Sequence, residues 1–152
     1  MESKQISLIP ESSLQKVRTG KKKKKEESIQ IFIARHMRIR YPDVIFNSDI
    51  ASGMRLTIGQ AVKAKAMRSS RAQPDIIILE PRGKFNGLCI EIKKGIYDVY
   101  LKDGVTISNA KSSKHVREQN DMLIRLREKG YFAEFGFGIS GCIKIIDEYM
   151  AL

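Results

Sequence analysis

The stretch RAQPDIIILEPRGKFNGLCIEIKKG, residues 71–95, decides how the chain reads. It holds two apolar runs, IIIL (Ile76–Leu79) and LCI (Leu88–Ile90), separated by the turn-rich EPRGKFNG. Short isoleucine-rich runs bounded by Pro, Gly and Asn read as strands. The expected strands are Asp75–Glu80 and Leu88–Lys93, paired as a local hairpin. Each carries a carboxylate at one edge, Asp75 before the first run and Glu91 near the end of the second, with 15 residues between them. Antiparallel pairing brings those two positions close together. Glu91 and Lys93 are two apart on one strand and so face the same way, while Ile92 turns to the opposite face, toward a core.

The flanking segments supply the rest of the architecture. In EESIQIFIARHMRIRYP, Glu26–Pro42, the residues Ile29, Ile33, Met37 and Tyr41 recur at helical spacing, and Pro42 marks the end. VIF (Val44–Phe46) reads as a first strand and NSDIASG (47–53) as a loop. TIGQAVKAKAMRSSR (57–71) reads as a basic helix with Thr57 as its N-cap. Beyond the hairpin, GIYDVYLKDGVTISNAKSSK (95–114) is an inserted segment that turns at Asp103-Gly104 between two short extended pieces. HVREQNDMLIRLREKG (115–130) is a helix with Val116, Leu123 and Leu126 on one side and Gly130 as its stop. YFAEFGFG (131–138) gives a further strand. CIKIIDEYM (142–150) closes as an amphipathic helix through Ile143, Ile146 and Met150. This order predicts an α/β fold, a sheet covered by helices on both faces.

The totals bound what such a domain does. At 152 residues there is room for one domain with a tail. The division expected is a basic flexible arm over residues 1–25, with at most a short helix near Ser12–Arg18, and a folded domain over 26–152. Apolar residues at 42% and charged residues at 30% fit a globular chain. No run reaches the length of a membrane span and no apolar signal core opens the sequence, so a soluble, cytoplasmic protein is expected. Cys89 and Cys142 lie in apolar patterns without metal-type spacing and read as buried free thiols. The net charge of +11 points to a polyanionic partner, and removing the five lysines Lys21–Lys25 still leaves +6 (11 − 5). Lys63, Lys65, Arg68 and Arg71 lead directly into the first hairpin strand. They fit DNA-backbone contacts about as well as a plain solvated helix face.

Other features are weaker. GFGISG (136–141) fits a nucleotide-binding glycine pattern, but no strand with an acid follows within the 152 residues, so it reads as a strand-to-helix junction. His36 lies among Arg35, Arg38 and Arg40 and reads as solvated or phosphate-facing, and His115 as a first-turn residue. With no Trp and 7% aromatics there is no stacking platform for single strands.

Two carboxylates beside a lysine are what a hard divalent cation and a phosphodiester require: oxygen ligands, and a positive charge for the phosphate. Taken singly, a strand-end acid and a Glu-x-Lys pair are ordinary surface features. Together, PD, 15 residues and EIK within an α/β pattern resemble the PD-(D/E)xK nuclease superfamily. More narrowly, EESIQ, QPDIIIL, GLCIEIKKG, HVREQ, LREKGY and a closing helix resemble the VRR-NUC group across residues 26–150. The resemblance implies a restriction-endonuclease-like mixed sheet flanked by helices. It also implies a Mg²⁺- or Mn²⁺-dependent endonuclease acting on DNA. Asp75, Glu91 and the main-chain carbonyl of Ile92 would hold the metal, and Lys93 would be the catalytic lysine. A glutamate on the first helix maps to Glu26 or Glu27, with Glu26 preferred, and Gln119 would border the site. By analogy with stand-alone phage and bacterial members, a homodimer acting on branched DNA such as four-way junctions, in recombination or repair, is expected. The alternatives are a restriction-type nuclease and a non-catalytic DNA-binding protein that keeps the fold. Two departures stand out: Ala72-Gln73 replaces the usual glycine–apolar pair before PD, and Gly95–Lys114 is longer than in minimal members.

Overall fold

The structure is a computed structural model that describes residues 21–48, 56–67, 70, 72–107 and 114–152, with side chains described from Ser28 onward. The expected short helix near Ser12–Arg18 lies outside these residues. Helix α1 spans Lys21–Arg40, strand β1 Phe46–Ser48, helix α2 Ile58–Ala66, strand β2 Ile76–Ile78 and strand β3 Leu88–Lys93. A 3₁₀ turn at Ile96–Asp98 leads to helix α3 (Lys114–Glu128), strand β4 (Phe132–Phe137) and helix α4 (Gly138–Met150).

The four strands form one mixed sheet in the order β1-β2-β3-β4. β1 and β3 both run antiparallel to β2, whereas β4 runs parallel to β3. A parallel pair needs a long crossover, and the segment 96–107 together with α3 provides it. One face of the sheet presents Ile76, Ile78, Leu88, Ile90 and Ile92 to Ile33 and Met37 of α1 and to Cys142, Ile146 and Tyr149 of α4. The other presents Cys89, Ala133 and Phe135 to Val99 and Leu123. β3 is therefore covered on both sides, which is why LCIEIK reads as a nearly unbroken apolar run.

Several boundaries differ from the sequence expectation for identifiable reasons. α1 as described reaches back to Lys21, ahead of Glu26, so the lysine run has helical backbone. β1 is Phe46–Ser48 rather than Val44–Phe46, and Val44 and Phe46 both pack against the core. β2 keeps only Ile76–Ile78. Its neighbour Leu79 is exposed, although its amide still donates to Ile45 O at 2.8 Å. Among its described residues, the inserted segment contains a 3₁₀ turn and an isolated antiparallel bridge, Tyr100 to Ile107, with no named strand. Its turn does fall at Asp103-Gly104: Asp103 Oδ1 accepts from the amides of Val105 and Thr106, and Gly104 has φ +71°.

α4 buries Cys142, Ile146 and Tyr149, spaced at helical steps of four and three, and Ile143 lies off that stripe. Tyr149 sets the face: it is fully buried and its hydroxyl donates to Glu80 O at 2.6 Å. α2 carries the capping box its sequence suggests, with Thr57 Oγ1 accepting from Gln60 N and Gln60 Oε1 accepting from Thr57 N.

The α4–sheet contact depends on Gly136. A methyl there would sit 2.8 Å from Ile90 Cγ2 and closer still to Cys142 Sγ. Gly136→Ala is expected to cost about 1–3 kcal/mol in urea unfolding, by overpacking. The pair Gly136→Ala/Cys142→Ala should be non-additive and recover part of that loss, because the sulfur is the nearest obstacle.

Candidate active site

The antiparallel register sets Ile76 opposite Ile90, so one further step places Asp75 across from Glu91. β2 has not yet begun at Asp75, and its carboxylate takes over where the ladder would continue: Asp75 Oδ2 accepts from Ile92 N at 2.8 Å. On β3 the alternation puts Glu91 and Lys93 on the same face, and Lys93 Nζ donates to Glu91 Oε1 at 3.0 Å. From α3, Gln119 Nε2 donates to the same Glu91 oxygen in a short contact. Asp75, Glu91, Lys93 and Gln119 are thus brought together, and the Ile92 main chain lies between them with its side chain in the core.

Burial governs the electrostatics. Glu91 is 3% exposed, and that desolvation, joined by the neighbouring Asp75 carboxylate, pushes its pKa from 4.5 up to about 8. The charge and hydrogen bond of Lys93 act in the opposite direction and do not win. Gln119 is 6% exposed, and its Oε1 is buried with no hydrogen-bond partner. Such an acceptor needs a donor, and a hydrated cation beside Glu91 would bring one in its water while favouring the ionised carboxylate. The oxygen donors present suit a hard ion such as Mg²⁺ or Mn²⁺. Among the described residues no group of three or more His, Cys, Asp and Glu side chains converges.

One contact was not anticipated. Gln30 of α1 is 7% exposed, and its Nε2 donates to the main-chain oxygen of Asp75 at 3.1 Å. The signal available in the sequence was a polar residue on the stripe of Ile29, Ile33 and Met37.

The remaining candidates fall elsewhere. Lys63 and Lys65 are exposed on α2, while Arg68 and Arg71 lie outside the described residues. Glu26 and Glu27 lie on the α1 backbone, with their side chains outside the described set. His36 is partly buried and paired rather than simply solvated. It pairs with Asp147 Oδ1 at 3.0 Å, and the Tyr41 hydroxyl donates to the same oxygen at 2.8 Å, which ties α1 to α4. Burial works to raise the Asp147 carboxyl, but these hydrogen bonds hold it below its ordinary value. His115 lies in the first turn of α3, 3.8 Å from Glu118. Burial pushes the Cys89 thiol up to about 11 and, with Asp75 nearby, that of Cys142 to about 12, as expected of inert buried cysteines. GFGISG is the junction at which β4 passes into α4. A cavity of about 300 Å³ lined by Phe85, Arg127, Tyr131 and Glu134 opens beside the start of β4, at the opposite end of β3 from Lys93. No helix among the described residues is long and apolar enough to cross a membrane.

The chain is an α/β fold, a four-stranded mixed sheet with two carboxylates and a lysine at one end of its central hairpin. It is VRR-NUC-like. A solved structure described as "VRR_NUC domain protein" superposes with a TM-score of 0.57, covering 84% of this chain and 89% of that one at 23% identity. No family model and no curated protein sequence matches the chain.

The Glu91 environment makes a pH prediction. Between 4.5 and about 8 the folded chain keeps a proton that the unfolded chain has released. Its contribution to stability therefore falls as pH rises through that window. In EDTA, Tm of the wild type relative to Glu91→Gln should fall steadily between about pH 5 and pH 8. Parallel Tm profiles for the two proteins would refute the assignment.

Proposed function

We propose that this chain is a divalent-metal-dependent DNA endonuclease. The observation that carries the reading is the convergence of Asp75, Glu91 and Lys93 on a VRR-NUC-like sheet. The reaction is hydrolysis: water adds across a P–O bond and leaves a phosphate monoester on one fragment and a hydroxyl on the other. A divalent cation at such a site supplies charge neutralisation on the phosphodiester and acidification of water.

On this reading Asp75, Glu91 and the carbonyl of Ile92 hold Mg²⁺ or Mn²⁺, and Gln119 orients Glu91. The Lys93 ammonium, kept in place by Glu91, stabilises negative charge that builds up on the phosphate in the transition state. Glu26 is favoured over Glu27 as a further acid, because positions 26, 30, 33 and 37 follow one helical stripe and Gln30, Ile33 and Met37 on it are buried. The net charge of +11 draws the polyanion, with Lys63, Lys65, Arg68, Arg71 and the run Lys21–Lys25 as backbone contacts. Branched DNA as the preferred substrate and a two-fold dimer making paired cuts complete the reading by analogy.

The decisive experiment incubates labelled four-way junction, flap and duplex DNA with Mg²⁺, Mn²⁺ or EDTA. Cutting is expected with metal only. Asp75→Ala and Lys93→Ala should each lower the rate on the order of 10²-fold or more. Equal cutting by these variants would mean the site is misassigned. Binding without metal-dependent cutting on any substrate would make the protein a DNA-binding module instead.

The lysine run has its own test. Replacing Lys21–Lys25 by glutamine keeps helix propensity while removing five charges. DNA affinity should drop and the slope of log K against log salt should flatten, by about one unit for every phosphate that is no longer neutralised. An unchanged slope would limit the run to solubility.

A further inference from the structure

Gln30 occupies an unusual place for an amide. The inward stripe of α1 is otherwise Ile29, Ile33 and Met37, all buried against the sheet. A polar side chain in such a stripe is costly unless it is hydrogen-bonded. Its Nε2 donates to the main-chain oxygen of Asp75 at 3.1 Å, one residue before β2 begins. The Asp75 carboxylate is meanwhile held by Ile92 N at 2.8 Å, a bond that competes with any further ligand of the carboxylate. The bond from Gln30 leaves both carboxylate oxygens untouched. It therefore keeps fixing the Asp75 backbone when the side chain is engaged elsewhere.

We infer that Gln30 is a positioning residue for Asp75. It anchors the acid to α1 through the main chain, so that the carboxylate is presented to a divalent cation at a defined place. The site is then braced from both faces of the sheet: Gln30 of α1 holds Asp75, and Gln119 of α3 holds Glu91. The inference rests on the nuclease reading given above. Groups that orient a ligand without touching the metal commonly change affinity or activity about 10–100-fold when removed.

The test measures Mn²⁺ binding by the EPR signal of the free ion, without DNA, beside cleavage rates and Tm. Gln30→Met keeps the volume and removes the donor, and Gln30→Glu replaces the donor with an acceptor facing the carbonyl. Each should weaken Mn²⁺ binding about tenfold or more and lower kcat. Ile33→Val, a truncation in the same buried stripe, controls for loss of packing alone and should leave Mn²⁺ affinity unchanged at a comparable fall in Tm. If the Gln30 variants bind Mn²⁺ as the wild type does, or if Ile33→Val loses Mn²⁺ affinity as much as they do at a comparable fall in Tm, the positioning role is overturned. Failure of both Gln30 variants to fold would make the residue a folding determinant and overturn it equally. A wild type that neither binds Mn²⁺ nor cuts DNA would instead bring down the nuclease reading, and this inference with it.

Discussion

The structure turns on one electrostatic conflict, a carboxylate placed on the central strand where both faces of the sheet are covered. Glu91 is bracketed by Ile90 and Ile92, whose side chains enter the α1–α4 core, and it shares its own face with Cys89. Leaving an unpaired charge there would cost several kcal/mol. The fold answers with Lys93 two residues along and with Gln119 from α3, both donating to a single oxygen. Even so, Glu91 holds its proton to about pH 8, because burial and Asp75 outweigh one ammonium. A residue kept under such conditions is poorly explained by stability alone, since an apolar side chain of similar size would remove the penalty. Strongly perturbed groups with a specific charge partner are characteristic of functional sites.

Asp75 resolves its own position differently. It stands where β2 has not yet begun, and its carboxylate caps the Ile92 amide that β2 is too short to reach. The two acids are thus unequal: Glu91 is supported by side chains from one face of the sheet, and Asp75 by main-chain bonds on either side of it. Helices packed on opposite faces each contribute one buried glutamine. The two layers of the fold therefore meet at the carboxylates, and the helix packing that stabilises the domain also sets the distance between them.

This division explains what could be read in advance. The strand Leu88–Lys93, the hairpin, the Thr57 cap, the Gly130 stop and the shared face of Glu91 and Lys93 follow from local periodicity and turn chemistry, and all are present. The three-residue β2 was not legible, because apolar residues continue through Leu79 whether or not a neighbour pairs with them. The face of α4 depends on where the Tyr149 hydroxyl finds Glu80 O, a contact between residues 69 positions apart. His36 looked solvated among arginines because its partner Asp147 lies 111 residues away. Gln30 belongs with these: a polar residue in an apolar stripe signals a partner without naming it. What escaped the one-dimensional pattern was long-range pairing of polar groups.

Charge offers a further step. A net charge of +11 attracts polyanions from a distance but would repel a small cation, and the excess lysine and arginine would also lower the pKa of nearby acids. Glu91 departs from that trend, its pKa raised by burial and by Asp75. The two effects act at different ranges: the basic exterior works across the Debye length, about 8–10 Å at moderate salt, whereas burial and the Asp75 carboxylate act at contact distance. A locally acidic, desolvated point inside a globally basic surface can therefore serve two ligands of opposite charge without either field cancelling the other. A polyanion held by such an exterior would carry condensed counterions with it, and so would itself reduce the long-range barrier to a cation reaching the two acids.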